Sequence, residues 1–166
     1  GDSPKYNEYF IRQLTELLSN YGEIHEVWFD GACAEGPNGK KQEYDWDAYY
    51  QTITRLQPHA VMAIMGDDVR WVGNEKGFAG ATNWSFLRTG EVFPGYEKYR
   101  TLQYGHADGD QWVAAECDVS IRPGWFYHPE EDNQVKNVDQ LTDLYYRSVG
   151  HNATLLLNFP VDRNGL

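Results

Sequence analysis

The 166 residues carry 25 Asp and Glu against 14 Lys and Arg, a formal net charge of −11. No clustered cations are available for phosphate backbones, which argues against nucleic acid as a partner. Apolar residues make up 41%, too many for a disordered chain and enough for one packed domain or part of one, and no apolar run approaches the roughly 20 residues that cross a bilayer.

The chain opens without methionine or a secretory apolar segment, as a processed or excised piece would. Ser3-Pro4 reads as a helix start, with Ser3 as the cap and Pro4 in the first turn. Tyr6, Phe10, Leu14, Leu17, Leu18 and Tyr21 then recur at helical spacing, and Gly22 closes the helix. Residues 24–30 form a first strand ending at Asp30, and Gly31 breaks it. A polar loop over 36–41 follows. A second helix spans about 45–56, with Trp46, Tyr49, Tyr50, Ile53 and Leu56 as its apolar stripe and Pro58 beyond it. Residues 60–65 are a short apolar strand of the kind found in parallel sheets. Strand, helix and strand in that order predict a βαβ unit.

Residues 66–109 read as a loop-rich, glycine-rich region, and loops of that length inside a domain carry function. Residues 112–121 read as a strand bearing Glu116 and Asp118, broken by Pro123-Gly124. A third helix covers 138–149, and 153–159 is the last strand. Strands alternating with helices, with polar residues at strand ends, are the grammar of a (β/α) barrel. A whole barrel needs about 250 residues. The predicted fold class is therefore α/β, the C-terminal half of a (β/α)8-like TIM barrel, spanning 1–166 from the helix before barrel strand 4 to the last barrel strand. A half-barrel leaves sheet edges unpaired, so these residues alone are expected to self-associate.

Barrel enzymes place their chemistry at the carboxyl ends of strands. Asp30 in Trp28-Phe29-Asp30-Gly31-Ala32 is so placed. Glu75 in Val72-Gly73-Asn74-Glu75-Lys76-Gly77 is a second carboxylate between glycines, with Trp71 as the expected apolar neighbour. Glycoside hydrolysis needs two carboxyl groups, one ionised and one protonated, in environments that hold them apart. Six Trp, twelve Tyr and seven Phe supply the flat faces on which sugar rings stack, although most belong to the core. Solvated surface charge or a helix cap is the plainer reading of either carboxylate.

Elsewhere Glu116 and Asp118 alternate on one strand, either orienting Arg122 or Arg70 or forming a structural ion pair. Asn158, at the end of the last strand, is expected to satisfy loop backbone groups. Cys33 and Cys117 have no ligand-spaced neighbours. Free buried thiols are expected, a single disulfide is the alternative, and no metal or other cofactor is implied.

Trp28-Phe29-Asp30-Gly31-Ala32, Trp71-Val72-Gly73-Asn74-Glu75, the run from Asp118 through Ser120-Ile121-Arg122-Pro123-Gly124-Trp125-Phe126-Tyr127-His128, and Leu155-Leu156-Leu157-Asn158-Phe159-Pro160 together resemble the α-L-fucosidases of glycoside hydrolase family 29. The likeness is greatest to the subfamily acting on α-1,3 and α-1,4 fucosyl linkages. It implies a retaining mechanism on a fucosylated oligosaccharide or glycoconjugate, with Asp30 as nucleophile and Glu75 as acid/base. Arg70 resembles a fucose-pocket residue and Trp125 the aromatic against the fucose C6 methyl. Trp71 and His128 are further substrate-binding candidates. The resemblance also implies export, to the exterior or the periplasm. The family's histidine-rich pocket belongs to the first half of its barrel, so a missing N-terminal half is an expected partner. Two motifs depart from the family: its Pro-Pro-Asp is Phe159-Pro160-Val161-Asp162 here, and its Val-Pro-Ala-Glu is Val113-Ala114-Ala115-Glu116. The alternatives are a non-catalytic, lectin-like carbohydrate-binding module, which would use the aromatic platform without the acid pair, and an inert fragment.

Overall fold

Asp2, rather than Ser3, caps the first helix. The computed structural model describes residues 2–30, 39, 41–64, 68–92, 96 and 98–165, and in it α1 (Ser3–Asn20) starts with the Asp2 carboxylate accepting from the Lys5 amide at 3.4 Å. The hydroxyl expected at the cap is engaged elsewhere, because Ser3 Oγ accepts from the Glu43 amide at 3.0 Å. Pro4 keeps its first-turn place, where its missing N–H costs nothing.

The chain divides into two compact units, Gly1–Val69 and Arg70–Leu166. In the first, β1 (Glu26–Trp28) and β2 (Val61–Ala63) are joined through α2 (Trp46–Leu56) and pair in parallel, Glu26 opposite Val61 and Trp28 opposite Ala63. This is the βαβ unit that the sequence predicts. Asp45 caps α2 by accepting from the Ala48 amide at 3.1 Å, and Asp47 and Arg55 match the helix dipole at its two ends. Leu14, Leu18, Phe29, Tyr49 and Ile53 form the buried core. Phe29 meets Trp46 edge-on at 5.5 Å, and Phe10 meets Tyr49 at 4.8 Å. Burying a ring or Leu-sized side chain is worth roughly 1.5–3 kcal/mol, so this aromatic cluster fixes where β1 ends. The Tyr49 hydroxyl donates to Asn7 Oδ1 at 2.5 Å, and burial pushes its phenol up to about 12.

β2 stops earlier than predicted, at Ala63. Ile64 has φ of 74°, a left-handed backbone that a β-branched residue rarely adopts, and its amide turns to the Val69 carbonyl at 2.8 Å. Met65, the predicted strand end, lies outside the described residues, as do Cys33 and most of the loop over 36–41.

Within the region predicted as loop, the structure has two strands, β3 (Val69–Trp71) and β4 (Phe86–Leu87). The strand predicted over 112–121 divides in two. β5 (Gln111–Trp112) runs antiparallel to β4, with Phe86 opposite Trp112, and β6 (Ala114–Ser120) pairs in parallel with β7 (Ala153–Asn158). The break falls at Val113, whose amide donates to Ser85 O at 2.9 Å while its carbonyl accepts from Arg70 Nη1 at 2.6 Å. A backbone with both polar groups committed to other elements cannot continue the β6 ladder.

The crossover from β6 to β7 carries α3 (Val138–Ser148), capped by a reciprocal pair: Asn137 Oδ1 accepts from the Gln140 amide and Gln140 Oε1 from the Asn137 amide. The second unit has one core cluster of Val72, Ala79, Ala115 and Cys117 and another of Leu87, Leu102 and Val113. Parallel strands connected through helices make the chain α/β. No helix among the described residues is long and apolar enough to cross a membrane.

Candidate active site

Asp30 lies two residues beyond β1, in the first unit. Its neighbour Phe29 is buried and donates its amide to Ala63 O at 3.2 Å, so backbone and ring are both fixed one residue before the carboxylate. Asp30 itself is exposed. Gly31 and Ala32 of the same motif lie outside the described residues.

Glu75 belongs to the second unit and is exposed at the tip of a turn after β3. Two glycines make that turn possible. Gly73 has φ of 83°, and a Cβ there would sit 2.3 Å from Tyr99 O. Gly77 has φ of 78°, and a Cβ there would overlap the Val119 and Leu144 side chains at 2.7 and 2.8 Å. Between them Asn74 closes a local ring, Oδ1 accepting from the Lys76 amide at 3.0 Å and Nδ2 donating to Phe78 O at 3.1 Å. The tryptophan that meets Glu75 is Trp125, whose indole Nε1 donates to Glu75 Oε2 at 3.3 Å. Trp71, the neighbour expected from sequence, is committed elsewhere: its indole donates to Asp118 Oδ1 at 2.6 Å and its ring stacks on Tyr99 with centroids 5.7 Å apart.

Arg70 is buried, 2% exposed. Nε donates to Leu102 O at 3.0 Å, Nη1 to Val113 O at 2.6 Å, and Nη2 to Trp84 O at 2.6 Å and to Asn83 Oδ1. Asn83 in turn donates to the carbonyls of His151 and Asn152, both at 2.9 Å. Desolvation lowers the Arg70 guanidinium to about 10. A guanidinium with four hydrogen bonds to protein oxygens is a strut between β3 and residues 83–113, with little left to offer a sugar.

Residues after β6 present Trp125 and His128. Asn158, at the end of β7, donates to Trp125 O at 3.0 Å and to Ser120 Oγ at 3.3 Å, satisfying loop backbone as the sequence predicts. Arg122 stacks over Tyr127 at 4.6 Å and pairs with Asp132 at 2.8 Å. His128 is exposed and precedes a 3-10 turn (Pro129–Gln134), its carbonyl accepting from the Glu131 amide at 3.0 Å. Of the alternating pair on β6, Asp118 takes the Trp71 indole, and both Glu116 and Asp118 are buried. Cys117 between them is a free thiol, pushed up to about 12 by burial. No group of three His, Cys, Asp or Glu among the described residues is arranged to hold a metal ion.

Sequence reasoning missed Tyr99, Asn83 and the division at Val113. Their contacts reach 13 to 69 positions along the chain, and no local pattern announces them.

Comparison with known proteins gives the family. The alpha-L-fucosidase family profile matches residues 1–166, and the chain belongs to that family. It is 49% identical to alpha-L-fucosidase 1 of Arabidopsis thaliana, over all of this chain and 32% of that protein. The solved structure of a candidate alpha-L-fucosidase from Bacteroides ovatus superposes with a TM-score of 0.86 at 56% identity, over 100% of this chain and 31% of that one. A Ruminococcus gnavus GH29 fucosidase in complex with fucose gives 0.79 at 36% identity, over 96% and 34%. The chain thus spans about a third of the length of these relatives.

Proposed function

We propose that the protein containing these residues is a retaining exo-glycosidase that removes terminal α-L-fucose, with preference for α-1,3 and α-1,4 linkages. Asp30 attacks the anomeric carbon. As that bond forms, the bond to the leaving oxygen breaks, and Glu75 gives its proton to that oxygen. In the second step Glu75 takes a proton from water, the water oxygen bonds to the anomeric carbon, and Asp30 is released. Fucose leaves with its configuration kept, and Glu75 is again protonated.

Trp125 and His128 are the groups proposed to meet the substrate, a fucosylated oligosaccharide or glycoconjugate. Arg70 and Trp71 are proposed to act from behind, holding the base of the Glu75 turn. The parallel strands are proposed to be the second half of a (β/α)8 barrel, with the histidine-rich part of the fucose pocket supplied by the rest of the protein. Export from the cell is part of the same proposal. The observation that carries the reading is the Glu75 turn: an exposed carboxylate on a rigid, glycine-built tip with an indole on one oxygen, in a chain whose whole length matches the fucosidase family.

Incubating the full-length protein with an aryl α-L-fucoside and following the sugar by proton NMR tests this. α-Fucose is expected first, with β-fucose appearing only by mutarotation. β-Fucose first, or no fucose, would overturn the mechanism or the activity respectively. Trisaccharides carrying α-1,2, α-1,3 or α-1,4 fucose test the linkage preference, and fractionating the source cells tests export.

A further inference from the structure

We infer that the Trp125 indole N–H positions Glu75 for proton donation and directs the acid proton to Glu75 Oε1, over and above any packing of the Trp125 ring against sugar. The inference rests on the fucosidase reading of Glu75. An indole nitrogen can only donate. Trp125 Nε1 sits 3.3 Å from Glu75 Oε2, on residues 50 positions away in sequence. In the acid form the carbonyl oxygen accepts an N–H better than the hydroxyl oxygen does, so an indole held on Oε2 favours the hydrogen on Oε1. Oε1 accepts no hydrogen bond from any described residue. Among the described residues, the oxygen that bears the transferable proton is therefore the one without a hydrogen bond.

The clamp is held from both sides. On the Glu75 side, Gly73, Gly77 and Asn74 leave the turn one conformation. On the Trp125 side, Asn158 at the end of β7 holds the Trp125 carbonyl at 3.0 Å and Ser120 Oγ at 3.3 Å. β7 is locked to β6 from Ala115–Ala153 through Ser120–Asn158. The indole thus reaches Glu75 from a loop pinned to the end of β7. Trp125 is a positioning residue in this role, acting through Glu75, and Asn158 acts through Trp125.

Leaving-group dependence separates this role from sugar stacking. The fucose is common to every substrate, so lost stacking weakens all fucosides alike. A misplaced acid matters only where the leaving oxygen needs a proton. In the full-length enzyme, Trp125→Phe keeps a ring and removes the N–H. We expect kcat/KM to fall at least 10-fold more on natural α-1,3 or α-1,4 fucosides than on dinitrophenyl fucoside. On the natural substrates, Trp125→Phe in a Glu75→Gln background should cost under 3-fold. Asn158→Ala should show the same pattern, smaller. Replacing Trp125 by benzothienylalanine, which has the indole shape without the N–H, should reproduce Trp125→Phe and covers the case in which Phe packs poorly.

Equal losses on activated and natural fucosides for both replacements, with Glu75→Gln itself selective for activated ones, would overturn the inference and leave Glu75 as the acid. Loss without leaving-group selectivity in Glu75→Gln would instead overturn the reading of Glu75.

Discussion

Asp30 and Glu75 are presented by opposite devices. Asp30 follows a strand end and a buried ring: β1 stops, Phe29 packs and bonds to Ala63, and the carboxylate comes next. These supports lie within a short βαβ unit. Glu75 stands on a turn whose backbone is possible only because Tyr99, Val119 and Leu144 leave room for glycine and nothing larger. Its indole partner arrives from beyond β6. The carboxylate proposed as nucleophile follows a locally packed strand end. The one proposed to give and then take a proton is set by contacts spread over the unit from Arg70 to Leu166.

The strongest test of that contrast is to remove each carboxylate. Asp30→Gly in the full-length protein should lower turnover by about 10³-fold or more on every fucoside. Azide should restore part of it, yielding β-fucosyl azide. Glu75→Ala should spare dinitrophenyl fucoside and lose natural substrates. Uniform loss in both variants would erase the distinction between them. A lectin-like module, by contrast, would lose no function in Asp30→Ala.

Next in size is Arg70→Met. It strands the carbonyls of Leu102, Val113 and Trp84 in a buried site, and about 3–5 kcal/mol of stability should be lost in chemical denaturation. A change below about 1 kcal/mol would show that the strut is not needed.

Gly73→Ala should follow. A left-handed backbone alone costs roughly 1–2 kcal/mol for a residue with Cβ, and the overlap with Tyr99 O adds to it. Its kinetic signature should resemble that of Glu75→Ala rather than Asp30→Gly. Losses resembling those of Asp30→Gly would mean the two carboxylates share their supports.

Smaller still is Asp2→Ala, which removes the α1 cap and should cost about 1 kcal/mol without changing the ratio of rates on activated and natural fucosides.

A further prediction concerns pH. The Cys117 thiol is raised from 9.0 to about 12 in the folded chain, so the unfolded chain releases that proton first. Stability should be unaffected by Cys117 below about pH 9 and should fall as pH rises from there towards 12. Cys117→Ala should flatten that part of the curve in pH-dependent denaturation.

What the sequence made legible follows the same division. The first βαβ unit, α3 and β7 were visible, because they rest on periodicity and on turn residues that act locally, although β1 covers only Glu26–Trp28 of the predicted 24–30 and Asp30 falls two residues past it. The misreadings share one cause, which is that a distant group claimed a backbone or side-chain atom. Ser3 gave up the helix cap to Glu43. Val113 ended a strand for Arg70 and Ser85. β3 and β4, only three and two residues long, carry too little pattern to separate them from loop. Around Glu75, the glycines were legible as turn residues, whereas the reason they must be glycine was not.

The central claim is that Asp30 is the nucleophile and Glu75 its acid/base partner, and covalent trapping tests it most directly. Full-length protein treated with a fluorinated fucosyl fluoride, which forms the glycosyl-enzyme faster than it hydrolyses, is digested and mapped by mass spectrometry. The account predicts one fluorofucosyl group on Asp30. It also predicts that a crystal of the trapped enzyme has the Asp30 and Glu75 carboxyl groups about 5–5.5 Å apart. A label on any other carboxylate, or full inactivation with none on Asp30, would contradict it.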